Sequence, residues 1–290
     1  MLENLKPTLQ PYMDQTASYK ESDYVIIGAP MDLTTSYRGG TDKAPDAIRK
    51  ESIYLESYSP RTGLDLEDIK LCDHGDIKAD DYHDWINQTQ QVVSQIFCDG
   101  KIPILLGGEH SITLGALRAL KPDLVISFDA HMDLREELFD EHDSHATFMR
   151  HAFEEQDFKL VLIGGRAFSQ QELIYLEENR DRIKLITAQD ILNGNQETPN
   201  DWLEQSTKVY ITVDMDVLDP SQAPAVGNPS PEGINVTQLM NHIHKLADSK
   251  LVGFDINEVS PSYDTGLTSI NAAYILLETI YANEKSKRIS

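Results

Sequence analysis

The chain has 290 residues, 40% of them hydrophobic, and a formal net charge of -23 at pH 7. This length and apolar content predict one large α/β domain or two smaller ones with a sizeable core, and they argue against a disordered or fibrous protein. The negative charge opposes binding to nucleic acid or to an anionic membrane, whereas it favours a small cationic ligand.

The N-terminal segment and the cysteines bear on localisation. Residues 1–20 lack the basic-then-apolar pattern of a signal peptide, and no stretch approaches the roughly 18 to 20 apolar residues of a membrane span. Cys72 and Cys98 do not have the spacing of a metal finger. Their small number is typical of a reduced protein rather than of a disulfide framework, so we expect a cytoplasmic location.

Six short apolar runs predict strands along the chain. They are continuous rather than alternating, which is typical of strands that are covered on both faces in a parallel sheet. The runs are 24–27, 102–106, 124–128, 160–163, 209–213 and 251–254.

Segments of helical period lie between these runs. Residues 82–98 place their apolar side chains on one face, and Gly100 follows as a stop. Residues 169–172 match a capping box, Thr237 can cap a following helix, and 269–282 repeat apolar residues at helical spacing.

This alternation of strands and helices predicts a doubly wound, mostly parallel α/β sheet with helices on both faces. We expect a single domain over 1–290, with 1–22 as an N-terminal extension of it. In such sheets, ligands bind just beyond the carboxyl ends of the strands.

Polar residues follow four of the predicted strands. The segments are GGEHS at 107–111, DAHMD at 129–133, DMD at 214–216 and DINE at 255–258. Because residues i and i+2 of a strand project to the same side, Asp129 and His131, or Asp214 and Asp216, can face one point.

Each segment alone has an ordinary explanation, since an Asp at a strand end usually caps a helix or forms a turn and Gly-Gly is a common tight turn. Together they place four aspartates and two histidines at neighbouring strand ends, where repulsion and desolvation cost several kcal/mol. Two divalent cations would balance four carboxylates. An oxygen-rich donor set without thiolate favours manganese or a similar ion over structural zinc, and paired metals activate water, which predicts hydrolysis.

Three ordered motifs closely resemble the metal-binding signatures of the ureohydrolase family, which contains arginases, agmatinases and other guanidino-compound hydrolases. They are GGEHS at 107–111, SFDAHMD at 127–133 and VDMDVLDPSQAP at 213–224, and the similarity extends from about Tyr24 to about Glu278. The resemblance implies an arginase-like three-layer αβα fold, two Mn²⁺ per subunit and a homo-oligomer, either a trimer or a hexamer. It also implies cleavage of a guanidino group to urea and an amine.

The resemblance further implies a set of ligands for each metal. One manganese would be held by His110, Asp129, Asp133 and Asp214, and the other by His131, Asp129, Asp214 and Asp216. Asp129 and Asp214 would then bridge the two ions.

Three residues receive catalytic roles from the same resemblance. Asp133 would hold the attacking hydroxide and pass its proton to the leaving nitrogen, and His145 matches the proton-shuttle histidine. Glu258 matches a carboxylate that grips the guanidinium, a role that suits a planar cation with forked donors.

The chain also departs from the family pattern. Glu109 replaces a more common Asp, but that position is not a ligand in the family, so no loss is expected. The loop 223–233 lacks the Gly-Thr-Gly-Thr run of many relatives, and His145 is followed by Ala146 rather than by Gly.

The loop 138–144 bears on the substrate, because Asp140, Glu141 and Asp143 would repel an α-carboxylate by about 1 kcal/mol per close pair in a wet site. Glu141 and Asp143 are therefore candidate substrate-binding residues for a cationic amine. Arg166 is followed by Ala-Phe-Ser, without the acidic residues with which arginases meet an α-amino group. These features favour agmatine, which would yield urea and putrescine.

Arg135 favours other substrates. It can pair with a substrate carboxylate, which would fit 4-guanidinobutyrate or 3-guanidinopropionate, or it can only neutralise Glu136 or Glu141. Arginine and other amidines remain open as well. A deacetylase on a related fold would use one zinc and fewer aspartates, and a catalytically silent metal-binding subunit would not require His145 and Glu258.

Overall fold

A computed structural model describes residues 2–15, 17–194 and 198–289 of the chain. In these ranges the strands form one eight-stranded sheet, and every pairing between named strands is parallel. The strands are β1 (Tyr24–Ala29), β2 (Leu71–Asp76), β3 (Ile102–Gly107), β4 (Leu124–Phe128), β5 (Lys159–Gly165), β6 (Ile183–Thr187), β7 (Val209–Asp214) and β8 (Leu251–Asn257).

The order of the strands is β2-β1-β3-β8-β7-β4-β5-β6. The chain leaves β3 for β4, which lies three positions away, and returns much later with β7 and β8 to fill the space between them. The four central strands are therefore those whose carboxyl ends carry the polar segments. Sequence segments far apart in the chain meet at one edge of the sheet, where α/β folds bind ligands.

Helices cover both faces of the sheet, which gives three layers and confirms the predicted fold class. They are α1 (Ala44–Ser52), α2 (Tyr82–Cys98), α3 (Ile112–Leu120), α4 (Phe148–Glu155), α5 (Gln170–Glu178), α6 (Ala188–Leu192), α7 (Asn200–Gln205), α8 (Val236–Leu246) and α9 (Leu267–Ile289). Two apolar clusters separate the layers: α2 to α5 share one with the sheet, and α1 with α6 to α9 share the other.

All six predicted strands are present, but β2 and β6 were missed. Both lie at the edges of the sheet, where a strand does not need a continuous apolar run. The β2 sequence is LCDHGD, and side chains of β6 are partly exposed. The backbone of Lys6 pairs with Asp76 and covers the β2 edge, which limits edge-to-edge pairing.

The helix signals were mostly correct. Helix α2 spans the predicted range, and Gly100 follows it with a positive φ of 76°. Ser169 and Glu172 form the predicted capping box of α5. The prediction of Thr237 as a cap was wrong, because Asn235 caps α8 and forms a capping box with Gln238.

The N-terminal segment packs against the sheet and the last helix. Tyr12 is fully buried, its hydroxyl donates to the carbonyl of Ala273 at 2.6 Å, and its amide donates to Asp73 at 2.8 Å. Among residues 2–15, 17–194 and 198–289, no helix combines the length and apolar character needed to cross a lipid bilayer.

Candidate metal centre and active-site cavity

A cavity of about 210 Å³ lies at the carboxyl ends of β3, β8, β7 and β4. Each of these central strands leads into at least one residue of its wall. The polar residues that follow the strands and line the cavity are His110, His131, Asp133, Asp214, Asp216 and Glu258.

The first group of donors surrounds the imidazole of His110. Its Nδ1 lies 3.2 Å from Asp129, 3.3 Å from Asp133 and 3.5 Å from Asp214, measured to one carboxylate oxygen of each. All four side chains are buried. Three of them, His110, Asp129 and Asp133, bring ligand atoms within the spacing of one metal ion.

The second group is built around His131. Its Nδ1 lies 2.9 Å from Asp216 Oδ2 and 3.7 Å from Asp129 Oδ1. Asp129 belongs to both groups and presents a different oxygen to each, which is the placement of a bridging ligand. Asp214 lies beside the first group but in neither of the two close sets.

Backbone amides orient these carboxylates. Asp129 Oδ1 accepts from the amide of His131 at 2.7 Å, and Asp214 Oδ1 accepts from that of Asp216 at 2.7 Å. Asp216 Oδ1 accepts from the amide of Ala130 at 3.0 Å, which ties the ends of β7 and β4 together. The i to i+2 bonds are the local turns that Asp favours at strand ends, and here they leave the other oxygens of Asp214 and Asp216 facing the histidines.

The two glycines of GGEHS allow close packing around the β3 end. A side chain at Gly107 would collide with Asn257, and one at Gly108 would collide with the backbone of Met31. The amide of His110 donates to Glu258 Oε1 at 2.9 Å, so the turn also fixes the first residue after β8.

Two of the site residues adopt left-handed backbone conformations. Asp133 has a φ of 53° and Glu258 a φ of 67°. Such conformations cost about 1 to 3 kcal/mol for a residue with a side chain and cluster at functional sites. Local backbone preference alone would therefore not place these carboxylates, and the hydrogen bond from the amide of His110 helps to hold that of Glu258.

Burial makes the cluster electrostatically demanding. It raises the pKa of Asp133 to about 7, with a further contribution from the charge of Asp129, and it raises that of Asp214 well above the usual range. Burial also opposes ionisation of Asp129, but the neighbouring imidazoles of His110 and His131 outweigh it and lower the pKa of Asp129. Without a cation, such a cluster retains protons, and divalent metals favour its ionised form.

The donor atoms fit a pair of divalent cations. Among the described residues, His110 Nδ1 has no hydrogen-bond partner although it is buried and faces three carboxylates. Oxygen donors predominate, with one imidazole in each group, a composition that suits hard or borderline metals.

A buried chain of hydrogen bonds selects which nitrogen of His110 is free. Thr212 donates its hydroxyl hydrogen to Asp255, so its oxygen can only accept from His110 Nε2, 2.7 Å away. Asp255 also accepts from Tyr210 at 2.6 Å and from Thr113 at 2.7 Å. The imidazole thus carries its hydrogen on Nε2 and offers Nδ1 to the metal, as expected for ligating histidines.

His145 is buried and lines the cavity wall. Burial lowers the pKa of His145 to about 4. Its imidazole is therefore neutral at pH 7.

Of the predicted substrate-binding residues, Arg135 lines the cavity, whereas Glu141 and Asp143 do not. Leu138 and Glu141 pair as a hairpin whose two turn residues have positive φ, and this leaves Glu141 exposed to solvent. Asp143 lies 3.5 Å from His83 on the outer surface. The acidic loop can act on a ligand in the cavity only from its rim.

Sequence reasoning missed three polar residues of the wall: Ser36, Glu172 and Asn228. Glu172 was recognised only as a capping residue, yet its buried carboxylate also lies 3.7 Å from Arg135. No sequence signal marked Ser36 or Asn228, which hydrogen-bond to each other at 3.2 Å across 192 positions of the chain.

The altered loop 223–233 contributes to this wall. Asn228 belongs to it, and a side chain at Gly227 would come within 2.9 Å of Glu258 Oε2. Arg166 holds the loop in place by donating to the carbonyls of Ser230 at 3.0 Å and of Asp216 at 2.7 Å. The loop 223–233 therefore packs against Glu258, although it lacks the Gly-Thr-Gly-Thr run of many relatives.

Comparisons with known proteins agree with this geometry. A sequence model of the Arginase family matches residues 22–281. The crystal structure of agmatine ureohydrolase of Thermoplasma volcanium superposes with a TM-score of 0.87 at 40% identity, covering 97% of each chain.

Two curated relatives differ in their named substrates. An agmatinase of Pyrococcus horikoshii is 32% identical over 91% of this chain and 93% of its own length. A guanidinobutyrase of Pseudomonas aeruginosa is 30% identical over 93% of this chain and 89% of its own length. Overall similarity therefore does not separate the two substrate classes.

Replacing Asp129 with Ala should abolish binding of the metal pair, because Asp129 is the one donor that both close groups share. We expect the fold to survive. Metal per subunit, measured by inductively coupled plasma mass spectrometry, and far-ultraviolet circular dichroism test this expectation. Asp214→Ala should also disrupt the pair, whereas Asp157→Ala, at a fully exposed side chain, should not. Two metals bound to Asp129→Ala would contradict the assignment.

Thr212→Val should weaken metal binding by about 10- to 100-fold, because it removes the hydroxyl that fixes the tautomer of His110. Thr212→Ser retains the hydroxyl and should bind metal nearly as the wild type does. Isothermal titration calorimetry of the metal-depleted proteins measures the difference. If the Val and Ser variants bound metal with equal affinity, the hydrogen-bond chain behind His110 would have no role in metal binding.

Proposed function

The chain belongs to the arginase family, and from this premise we propose that it hydrolyses the guanidino group of agmatine to urea and putrescine with two bound Mn²⁺ ions. The two His/Asp groups that share Asp129, in the wall of the cavity, support hydrolysis of a guanidino compound. The choice of agmatine is supported by the charge around the pocket mouth. The segment 135–143 carries five carboxylates against the single Arg135.

When bound, the metal pair supplies a hydroxide nucleophile near neutral pH. The protein binds and orients the guanidinium through Glu258. Its Oε1 accepts from the amide of His110, and its side chain reaches the cavity wall. Burial, and then the charge of Glu109, raise the pKa of Glu258 to about 8, and an incoming guanidinium favours its ionised form.

Asp133 and His145 handle protons. Asp133 lines the cavity and belongs to the first group of donors, so its carboxylate lies where it can accept a proton from the nucleophile and release it to the leaving amine. His145 stays neutral at pH 7 and lies on the cavity wall, where it can accept a proton and pass it to solvent.

The cavity wall also carries one cation, Arg135, and a buried carboxylate outside the metal groups, Glu172. Arg135 lies 3.7 Å from Glu172, and its side chain is 40% exposed. The primary ammonium of agmatine would be attracted by the carboxylate of Glu172 and by the acidic residues at the rim of the cavity. A substrate carboxylate would be attracted by the guanidinium of Arg135, but Glu172 and the acidic residues of the rim would repel it.

Arg135 nevertheless supports a second candidate, a guanidino acid such as 4-guanidinobutyrate. Its guanidinium lines the cavity, whereas Glu141 and Asp143, the carboxylates expected to disfavour an acid, do not. An Arg that reaches a substrate carboxylate would form a strong charge-assisted pair. The two candidates therefore differ in which member of the Arg135 and Glu172 pair meets the tail of the substrate.

Urea release from a panel of guanidino compounds tests the proposal. We expect the Mn²⁺-loaded protein to show a kcat/KM for agmatine at least about tenfold above those for arginine, 4-guanidinobutyrate and 3-guanidinopropionate, a margin within reach of binding discrimination. A guanidino acid in first place would replace agmatine by the second candidate. No urea from any compound, with both metals bound, would overturn the proposed function.

Arg135→Gln separates the two candidates at the level of one side chain. For agmatine, kcat/KM should rise by up to about fivefold, because removing a like charge relieves roughly 1 kcal/mol of repulsion in a wet site. For 4-guanidinobutyrate it should fall by about tenfold or more, since a charge-assisted hydrogen bond is lost. Arg118→Gln, which breaks an exposed pair with Glu155 on the far surface, serves as the control. A large loss with agmatine would contradict this placement of its tail.

A further inference from the structure

Glu109 lies inside the first metal motif but belongs to neither group of metal donors. It is fully buried, and its carboxylate turns away from the metals toward the segment 33–35. There it accepts hydrogen bonds from the amides of Leu33 and Thr34 and from the hydroxyl of Thr34 at 2.6 Å. The carboxylate of Glu109 is therefore held against Thr34, through both the amide and the hydroxyl of that residue.

Thr34 in turn contacts His145. Thr34 Oγ1 accepts from the backbone amide of His145 at 3.0 Å and lies 3.3 Å from its Nδ1. A threonine hydroxyl has one hydrogen, and in this arrangement Glu109 receives it. The oxygen of Thr34 can therefore only accept from the imidazole, so His145 must carry its hydrogen on Nδ1.

This arrangement leaves Nε2 as the unprotonated nitrogen, which can accept a hydrogen bond or a proton. Nε2 lies 3.2 Å from the hydroxyl of Ser36, which is itself part of the cavity wall. The nitrogen that can take up a proton thus faces the cavity, and the one already protonated faces Thr34.

We propose that Glu109 is a positioning residue that acts through Thr34 to fix the tautomer and orientation of His145, so that Nε2 is the nitrogen that exchanges the proton. The proposal rests on the proposed function, in which His145 moves protons. Glu109 itself touches neither substrate nor reacting atoms.

Glu109 also ties the segment 33–35 to the turn after β3, and this purely structural role has to be separated from the proposed one. Glu109→Gln makes the separation. Its amide oxygen still accepts from the amides of Leu33 and Thr34, while its NH₂ group donates to Thr34 Oγ1. The hydroxyl hydrogen of Thr34 must then point to His145 Nδ1, which forces the hydrogen of the neutral imidazole onto Nε2.

The first measurement is steady-state urea release. Glu109→Gln should lower kcat by about tenfold or more with little change in KM, metal content or melting temperature, because the loss concerns a proton-transfer step. Glu109→Asp retains the carboxylate and should turn over at least about fivefold faster than the Gln variant. A Gln variant with the kcat of the wild type would overturn the proposal.

A double-mutant cycle tests whether the effect passes through His145. In a His145→Asn background, Glu109→Gln should cause no further loss of kcat, because the group it positions is already gone. Thr34→Val should behave like Glu109→Gln in both backgrounds, and Thr34→Ser should resemble the wild type. Additive losses would mean that Glu109 acts only on the structure and would overturn the proposal.

A spectroscopic readout keeps the inference separate from the proposed function. Nitrogen-15 spectra of the imidazoles, recorded with diamagnetic Mg²⁺ in place of Mn²⁺, should show His145 protonated on Nδ1 in the wild type and on Nε2 in Glu109→Gln. This result is expected even if none of the guanidino compounds yields urea, an outcome that overturns the proposed function alone. An Nε2-protonated His145 in the wild type would overturn the hydrogen-bond chain.

Discussion

Four aspartates and two histidines are gathered at one edge of a sheet whose strands are otherwise apolar, and the rest of the site follows from the cost of holding these charges there. Carboxylates that are close together and removed from water cannot all remain ionised without a counter-charge. The raised pKa of Asp133 and the lowered pKa of Asp129 show how unevenly the cluster distributes its protons. A pair of divalent cations resolves the conflict, and the same cations provide the reactivity that a guanidino hydrolase needs.

Two histidines of the cavity wall, His110 and His145, are held by the same arrangement of hydrogen bonds. In each, a hydroxyl whose hydrogen is committed to a buried carboxylate accepts the imidazole N–H: Thr212 with Asp255 behind His110, and Thr34 behind His145. The first arrangement frees Nδ1 for a metal, and the second frees Nε2 for a proton. A buried carboxylate can thus act on catalysis without approaching the substrate, provided that a hydroxyl transmits its preference.

In the proposed function, substrate choice depends on a different balance, between the acidic residues of the rim and one arginine. The hairpin that turns Glu141 outward moves part of the negative charge away from the cavity and leaves Arg135 and Glu172 as its charged pair. Family membership gives the reaction, since the metal-binding edge is shared. In the proposed function, the tail of the substrate meets Arg135 and Glu172, which lie outside the metal-binding motifs.

The sequence by itself determined the fold class, the metal-binding motifs and the bounds of α2, because apolar continuity, helical period and capping residues are local signals of burial and backbone conformation. It could not supply the order of the central strands, the edge strands β2 and β6, or the outward turn of Glu141. Nor did it reveal that Glu172 serves both a helix cap and the cavity, or that Glu109 contacts Thr34. These features depend on which distant surfaces pack together, and a pattern within one segment carries no information about its neighbour in space; only the tertiary structure decided them.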